Sequence, residues 1–214
     1  QSVAKIEMGD DEPEINAYTD AEIVALFDHA DAAEFRDAMA IAALSGLRRG
    51  ELFALTVADC ADGFFHVQKG KTKSARRMVP IHSALKPIVA RLCEGKRPGD
   101  LLLADRTQIR KQSPSRIIGD AFGKRFGRFR QEALPQSKGT NFHSFRHYFG
   151  TKLRLARIDE PTVALLMGHA NKNITFGRYA KLRGQNLTAA QLEEMREFLT
   201  PSLEAVRLPN ALEV

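Results

Sequence analysis

The stretch Phe142-His143-Ser144-Phe145-Arg146-His147-Tyr148-Phe149 alternates aromatic and basic residues in a way that fits a helix. Each helical residue advances by about 100°, so the polar members fall in one arc and the phenylalanines on the opposite side. The polar arc holds His143, Arg146, His147 and Gly150, and the apolar side holds Phe145, Phe149 and Ala156. We therefore predict a helix over 143–157 whose polar side faces a site. Gly150 either lets a ligand approach closely or serves only for packing.

The composition predicts one catalytic-sized domain. The chain has 214 residues, 43% of them hydrophobic, which is enough for one substantial core. It has no apolar run of the roughly 18 to 20 residues that a membrane span needs. Its opening residues, Gln1-Ser-Val, are neither a signal peptide nor an initiator methionine. Cys60 and Cys93 are not in a metal-ligand spacing. We expect a fragment of a cytoplasmic protein without disulfides.

Charge is distributed unevenly. Residues 1–35 hold ten acidic side chains and one basic side chain, whereas the rest holds 31 basic and 16 acidic ones. Residues 106–130 contain eight basic residues opposed only by Asp120. A protein region this basic attracts polyanions, of which nucleic acid is the commonest. The alternative is a basic surface that is merely solvated.

Apolar periodicity and capping residues predict a mainly helical α+β domain with one small antiparallel sheet. A capping box at Thr19 predicts a helix from about residue 20, and a short helix holds Leu52 and Leu55. The other helices are predicted over 35–45, 83–94, 114–131, 143–157, 160–167 and 188–199. Residues 64–67 and 78–81 are predicted strands of a hairpin with a Lys/Gly/Ser-rich tip.

Two candidate site residues lie directly at bends. Gly46 ends the second predicted helix, so Arg48 falls in the tight link that follows. Asp159 is the predicted N-cap of the helix over 160–167 and Gly168 its C′ residue, so His169 lies just beyond a helix end. Arg178-Tyr179 follows ten residues later and offers His169 a partner.

Together these motifs resemble the tyrosine recombinase (phage integrase) family over residues 18–200. Ser45-Gly-Leu-Arg48-Arg-Gly-Glu51 resembles the first arginine box of the family and His143-Ser-Phe-Arg146 the second. Leu166-Met-Gly-His169 and Tyr179 resemble the third histidine and the nucleophile. Gly70-Lys71-Thr-Lys-Ser-Ala-Arg-Arg-Met-Val-Pro80 resembles the hairpin of the catalytic lysine, in the form found in prophage and genomic-island integrases. Gly50 stands where Ser is commoner, and the gap from His169 to Tyr179 is one residue longer than in many members.

The resemblance implies the fold of DNA breaking-rejoining enzymes and a metal-independent cleavage. Arg48 and Arg146 would each present a guanidinium fork to the phosphate, and His169 a third donor. Tyr179 ionises only to about 0.1% at pH 7, so it needs a base, for which His143 is the candidate. Lys71 would protonate the leaving 5′ oxygen, with Lys69 and Lys73 as competing candidates.

Further residues receive supporting roles. Glu51, one turn past Arg48, is predicted to orient it. Candidate DNA contacts are Lys69, Lys73, Arg76, Arg77, Arg116, Lys124, Arg125 and Arg128. We expect no cofactor and no metal, although His143, His147 and His169 have workable ligand spacing without the Glu of His-Glu-x-x-His.

The predicted organisation has three parts. Residues 1–17 form an acidic linker from a missing N-terminal DNA-binding domain, 18–185 the catalytic domain, and 186–214 a C-terminal helix and tail. That helix docks either on its own core or on a neighbouring copy. The resemblance implies a homotetramer that acts on two DNA duplexes at attachment sites, whereas the isolated fragment would be a monomer. It also implies a location in the bacterial cytoplasm or nucleoid. DNA-bending or directionality factors are possible accessory partners. An inactive DNA-binding relic and a type IB topoisomerase are the alternatives.

Overall fold

The computed structural model describes residues 15–68, 76–168 and 188–212, and within them it is mainly helical with a two-stranded sheet. The predicted fold class is confirmed. The helices are α1 (Asp20–His29), α2 (Ala33–Ser45), α3 (Arg49–Leu52), α4 (Lys86–Cys93), α5 (Arg106–Arg110), α6 (Ser115–Ala133), α7 (Ser144–Leu155), α8 (Glu160–Met167) and α9 (Ala189–Glu204). The strands are β1 (Phe64–Val67) and β2 (Arg77–Pro80), and 3₁₀ turns occupy Ala58–Gly63, Ser83–Leu85 and Asn210–Leu212.

The start of α1 follows the predicted capping box. The Glu22 backbone N–H donates to Thr19 Oγ1 at 3.2 Å, and the Thr19 N–H donates to the Glu22 carboxylate at 2.8 Å. Two otherwise unpaired donors at the helix start are thereby satisfied. The helix then buries Ile23, Leu26 and Phe27 in the core.

Helix α2 forms the centre of the domain. Every residue from Asp37 to Ser45 is buried, and the helix ends at Gly46 with φ +62°, as predicted. An added Cβ at Gly46 would lie 2.4 Å from Cδ1 of Phe149 in α7. Glycine is therefore required there twice, for its left-handed backbone and for the close approach of α7.

The two strands pair antiparallel, with Phe64 opposite Pro80 and Val67 opposite Arg77. The predicted hairpin strands are confirmed, with β2 shifted by one residue to begin at Arg77. The hairpin tip, and with it Lys69, Lys71 and Lys73, lies outside the residues that the structure describes.

Helix α6 separates an aromatic face from a basic one. The buried rings of Phe122, Phe126 and Phe129 contact Phe35, and the first two also contact Phe142, with ring centroids 4.6 to 6.4 Å apart. Exposed basic side chains occupy the other face. The basic stretch 106–130 thus spans two helices and a turn.

Helix α7 buries Phe145 and Phe149 as predicted, but Ala156, which was predicted on the same apolar side, is exposed. It directly follows Leu155, the last residue of the helix. Gly150 is a packing glycine, since an added Cβ would lie 2.9 Å from Sδ of Met167 in α8. The polar arc is therefore partly covered by α8 rather than open along its length.

The C-terminal helix packs on its own chain. Helix α9 buries Met195, Leu199 and Leu203 against β2 and α8, while Phe198 remains 41% exposed. It continues through Pro201 to Glu204, five residues beyond the predicted end. None of the described helices is long and apolar enough to cross a membrane.

Candidate active site

Three of the six predicted catalytic residues lie in the described part of the chain. Arg48 directly precedes α3, His143 directly precedes α7, and Arg146 lies in the first turn of α7. Lys71, His169 and Tyr179 lie outside the described residues, so their placement stays a prediction.

Arg48 is held by a carboxylate one turn away. The Arg48 backbone N–H donates to Glu51 Oε2 at 2.9 Å, and Arg48 Nη1 donates to Glu51 Oε1 at 2.8 Å. The Arg48 side chain is still 40% exposed, whereas that of Glu51 is 5% exposed. The guanidinium is thus anchored on one side while its other donors remain accessible.

Glu51 has a second cationic partner in Arg77 of β2. Arg77 Nη1 donates to Oε1 at 3.1 Å and Nη2 to Oε2 at 3.0 Å, a bidentate pair. Burial by itself would raise the pKa of Glu51, but the hydrogen bonds and charge of Arg77, together with the bonds from Arg48, lower it below its usual value. Glu51 is therefore a carboxylate at neutral pH, and it orients Arg48.

The Arg146 side chain is buried, with the residue 2% exposed, and it hydrogen-bonds to the ends of α2 and α8. Its Nη1 donates to the Gly46 carbonyl at 2.6 Å, and its Nη2 donates to the Met167 carbonyl. Burial and the charges of Arg48 and Arg77 lower the pKa of Arg146 to about 9. The group therefore stays cationic at pH 7. Three guanidiniums close to a single carboxylate leave an excess of positive charge, which an anion would relieve.

His143 lies beside this cationic cluster. Burial, then His147, Arg146 and Arg48, lower the pKa of His143 to about 4, so its imidazole is neutral at pH 7. Its ring meets that of His147 edge to face at 5.0 Å between centroids. A neutral imidazole can accept a proton, and a bound phosphate would raise its basicity by neutralising the neighbouring charges. The third nitrogen ligand of the metal alternative, His169, lies outside the described residues.

A cleft of about 410 Å³ opens between α3 and α6 next to His143. Its wall includes Arg49 and Arg130, two cations that are not among the predicted DNA contacts. Arg49 is bonded to Asp120 at 3.1 Å. An added Cβ at Gly50 would meet no atom within 4 Å, so the commoner serine would fit at this position.

The predicted DNA-contacting residues differ in how exposed their side chains are. Exposed in the structure are Arg76, Arg116, Lys124, Arg125 and Arg128. Two of them are in ion pairs, Arg125 with Glu34 and Arg116 with Asp120. Arg77 is different, because its side chain is 1% exposed and its guanidinium faces Glu51 instead of solvent. We therefore do not retain Arg77 as a surface DNA contact. Its placement could have been foreseen, since strand side chains alternate and Arg77 shares a face with the buried Val79.

Comparisons with known proteins agree with this architecture. The model of the phage integrase family matches residues 16–186. A transposase from transposon Tn916 of Enterococcus faecalis is 26% identical over 126 residues. That match covers 54% of this chain and 30% of the transposase, so the chain spans less than a third of this curated relative.

Solved structures show the same fold at lower identity. The integrase from mycobacterium phage Brujita superposes with a TM-score of 0.61 at 18% identity, covering 98% of this chain and 65% of that one. A lambda integrase tetramer bound to a Holliday junction gives a TM-score of 0.60 at 21% identity, covering 81% of this chain and 51% of that one. With the family match over most of its length, this chain belongs to the phage integrase family of tyrosine recombinases.

Proposed function

We propose that this chain is the catalytic part of a site-specific DNA recombinase that cuts and rejoins DNA through a 3′-phosphotyrosine intermediate, integrating or excising a mobile element. The observation that carries the proposal is the convergence of Arg48 and Arg146, 98 positions apart in sequence, on one cationic cluster beside the neutral His143. Such a cluster suits the charge that builds on a phosphodiester under attack.

In the proposed reaction the Tyr179 oxygen attacks phosphorus while His143 takes the phenolic proton. Arg48, Arg146 and His169 hold the non-bridging oxygens as negative charge accumulates. The bond to the 5′ oxygen breaks, and Lys71 protonates that oxygen. A 5′ hydroxyl of a partner strand then attacks the phosphotyrosine and restores a phosphodiester. The covalent link conserves the bond energy, so the cycle needs no ATP.

The assembly belongs to the same proposal. Solved relatives include a lambda integrase tetramer on a Holliday junction and a transposon integrase in complex with transposon right end DNA. We infer that four copies of this chain act on two duplexes at attachment sites in the bacterial cytoplasm. The exposed basic face of α6 would contribute charge, with Arg116, Lys124 and Arg128 as its proposed DNA contacts.

A suicide-substrate assay tests the proposal. A pool of nicked duplexes with a randomised centre is incubated with the chain at low salt, and covalent protein–DNA species are recovered after denaturation. Sequencing the recovered DNA gives a selected nicked duplex for later work. Wild type should give a covalent band that Tyr179→Phe lacks. Noncovalent binding without a band would instead indicate an inactive DNA-binding relic. A topoisomerase would also form the band, so a separate assay on supercoiled plasmid is needed, in which relaxation without strand exchange would indicate a topoisomerase.

The assignment of the acid has a separate test. Lys71→Ala should cleave slowly on the normal duplex and recover substantially when the leaving 5′ oxygen is replaced by sulfur, which needs little protonation. Lys69→Ala and Lys73→Ala serve as matched controls from the same hairpin. An absence of recovery for Lys71→Ala would move the acid to another residue.

A further inference from the structure

Arg77 is a buried cation without an assigned part in the reaction. Its side chain, in the first position of β2, is 1% exposed. Placing an ion pair inside a protein carries a large desolvation cost that the attraction between the two charges must offset, and an apolar pair would often be as stable. The stability of the fold alone therefore does not account for a guanidinium at this position.

The bonds of Arg77 complete the shell around Glu51. Each carboxylate oxygen accepts one bond from Arg48 and one from Arg77, with all four distances between 2.8 and 3.1 Å. With both oxygens occupied on two sides, the carboxylate has little freedom to rotate. The direction in which Arg48 presents its remaining donors is therefore fixed indirectly by Arg77.

The same guanidinium contacts the end of α8. Arg77 Nε donates to the Leu166 carbonyl at 2.8 Å. Gly168, with φ +67°, lies so close that an added Cβ would be 2.9 Å from both Cδ and Nη1 of Arg77. Gly168 is the residue immediately before His169, so Arg77 supports the point from which the chain continues to that predicted site residue.

We propose that Arg77 is a positioning residue, which locks the hairpin strand, Glu51 of α3 and the end of α8 into one arrangement and thereby aligns Arg48 with the scissile phosphate. This role rests on the proposed function. Arg77 acts through Glu51 and does not touch DNA. The misalignment caused by its loss should slow cleavage without weakening DNA binding, because misplacements of about 1 Å can cost on the order of 100-fold in rate.

The test separates binding from chemistry. Wild type and Arg77→Met are compared on the selected nicked duplex, with binding measured by fluorescence anisotropy and single-turnover cleavage at saturating protein. We expect Arg77→Met to bind within about twofold of wild type and to cleave on the order of 100-fold more slowly. Equal cleavage rates, or a loss in binding as large as the loss in rate, would overturn the proposal. If wild type gives no covalent product, the proposed function fails instead.

Two further variants distinguish positioning from general destabilisation. Arg91→Met breaks another bidentate pair, that of Arg91 with Asp37 at 2.6 and 3.2 Å, away from the site, and should leave the cleavage rate unchanged. Arg77→Lys keeps the positive charge but cannot form the bidentate pair with Glu51, so it should recover only part of the cleavage rate. It also replaces Arg77→Met in the test if that variant does not fold. A fully active Arg77→Lys, or slow cleavage by Arg91→Met, would contradict positioning by Arg77.

A double variant tests the route through Glu51. If Arg77 acts through that carboxylate, Arg77→Met in a Glu51→Gln background should slow cleavage by less than about threefold beyond Glu51→Gln alone. Independent actions would instead multiply, and the double variant would be slower by the full product of the two single effects.

Discussion

Replacing Gly46 by alanine tests how the site is built on the core. The new Cβ would lie 2.4 Å from Cδ1 of Phe149, and the backbone at φ +62° disfavours any side chain. The left-handed conformation costs roughly 1 to 2 kcal/mol, partly offset by the lower entropy of an unfolded alanine. Overpacking adds about 1 to 3 kcal/mol. We therefore expect Gly46→Ala to lower the free energy of unfolding by about 2 to 4 kcal/mol.

Gly95→Ala is the matched control for the Gly46 variant. Gly95 has φ +70°, but an added Cβ there meets no atom within 4 Å. It should therefore cost only the backbone part, about 1 kcal/mol. Urea denaturation of both variants measures the difference, which isolates the contact with Phe149. If Gly46→Ala is no less stable than Gly95→Ala, the close contact between Gly46 and Phe149 of α7 does not exist as the structure indicates.

Two further predictions concern pH and α6. The pKa of His143, about 4 in the folded protein, lies below its unfolded value near 6.5, so its contribution to stability is present above pH 6.5 and is lost as the pH falls toward 4. Urea denaturation at pH 7 and pH 5 should show a smaller decrease for His143→Gln than for wild type, and equal decreases would refute this. Gly127→Ala should raise stability by up to about 1 kcal/mol, since its Cβ meets no atom within 4 Å. Gly123→Ala should gain less stability than Gly127→Ala, because its Cβ would displace the Arg49 guanidinium. Thermal melts that rank the two variants in the opposite order would contradict the packing of α6.

The elements that local chemistry specifies were predictable from the sequence. The capping box at Thr19, the Gly46 stop and the Asp159 to Gly168 helix all depend on residues within a few positions of one another, and each appears where it was predicted. The strand pairing followed from two β-prone runs around a glycine-containing turn.

Long-range pairings were not predictable in the same way. The partnership of Arg77 with Glu51 joins residues 26 positions apart, and the Arg77 bond to Leu166 spans 89. The sequence predicts Arg77 as a DNA contact, and only the strand register indicates that its side chain is buried. The role of Gly150 depended likewise on α8, which covers it with Met167.

In the proposed function, Tyr179 attacks DNA at a phosphate held by Arg48 and Arg146. The most direct measurement is mass spectrometry of the peptides released from the covalent adduct on the selected nicked duplex. We expect a nucleotide attached through its 3′ phosphate to Tyr179. Attachment to any other residue, or an adduct formed equally well by Tyr179→Phe, would contradict it.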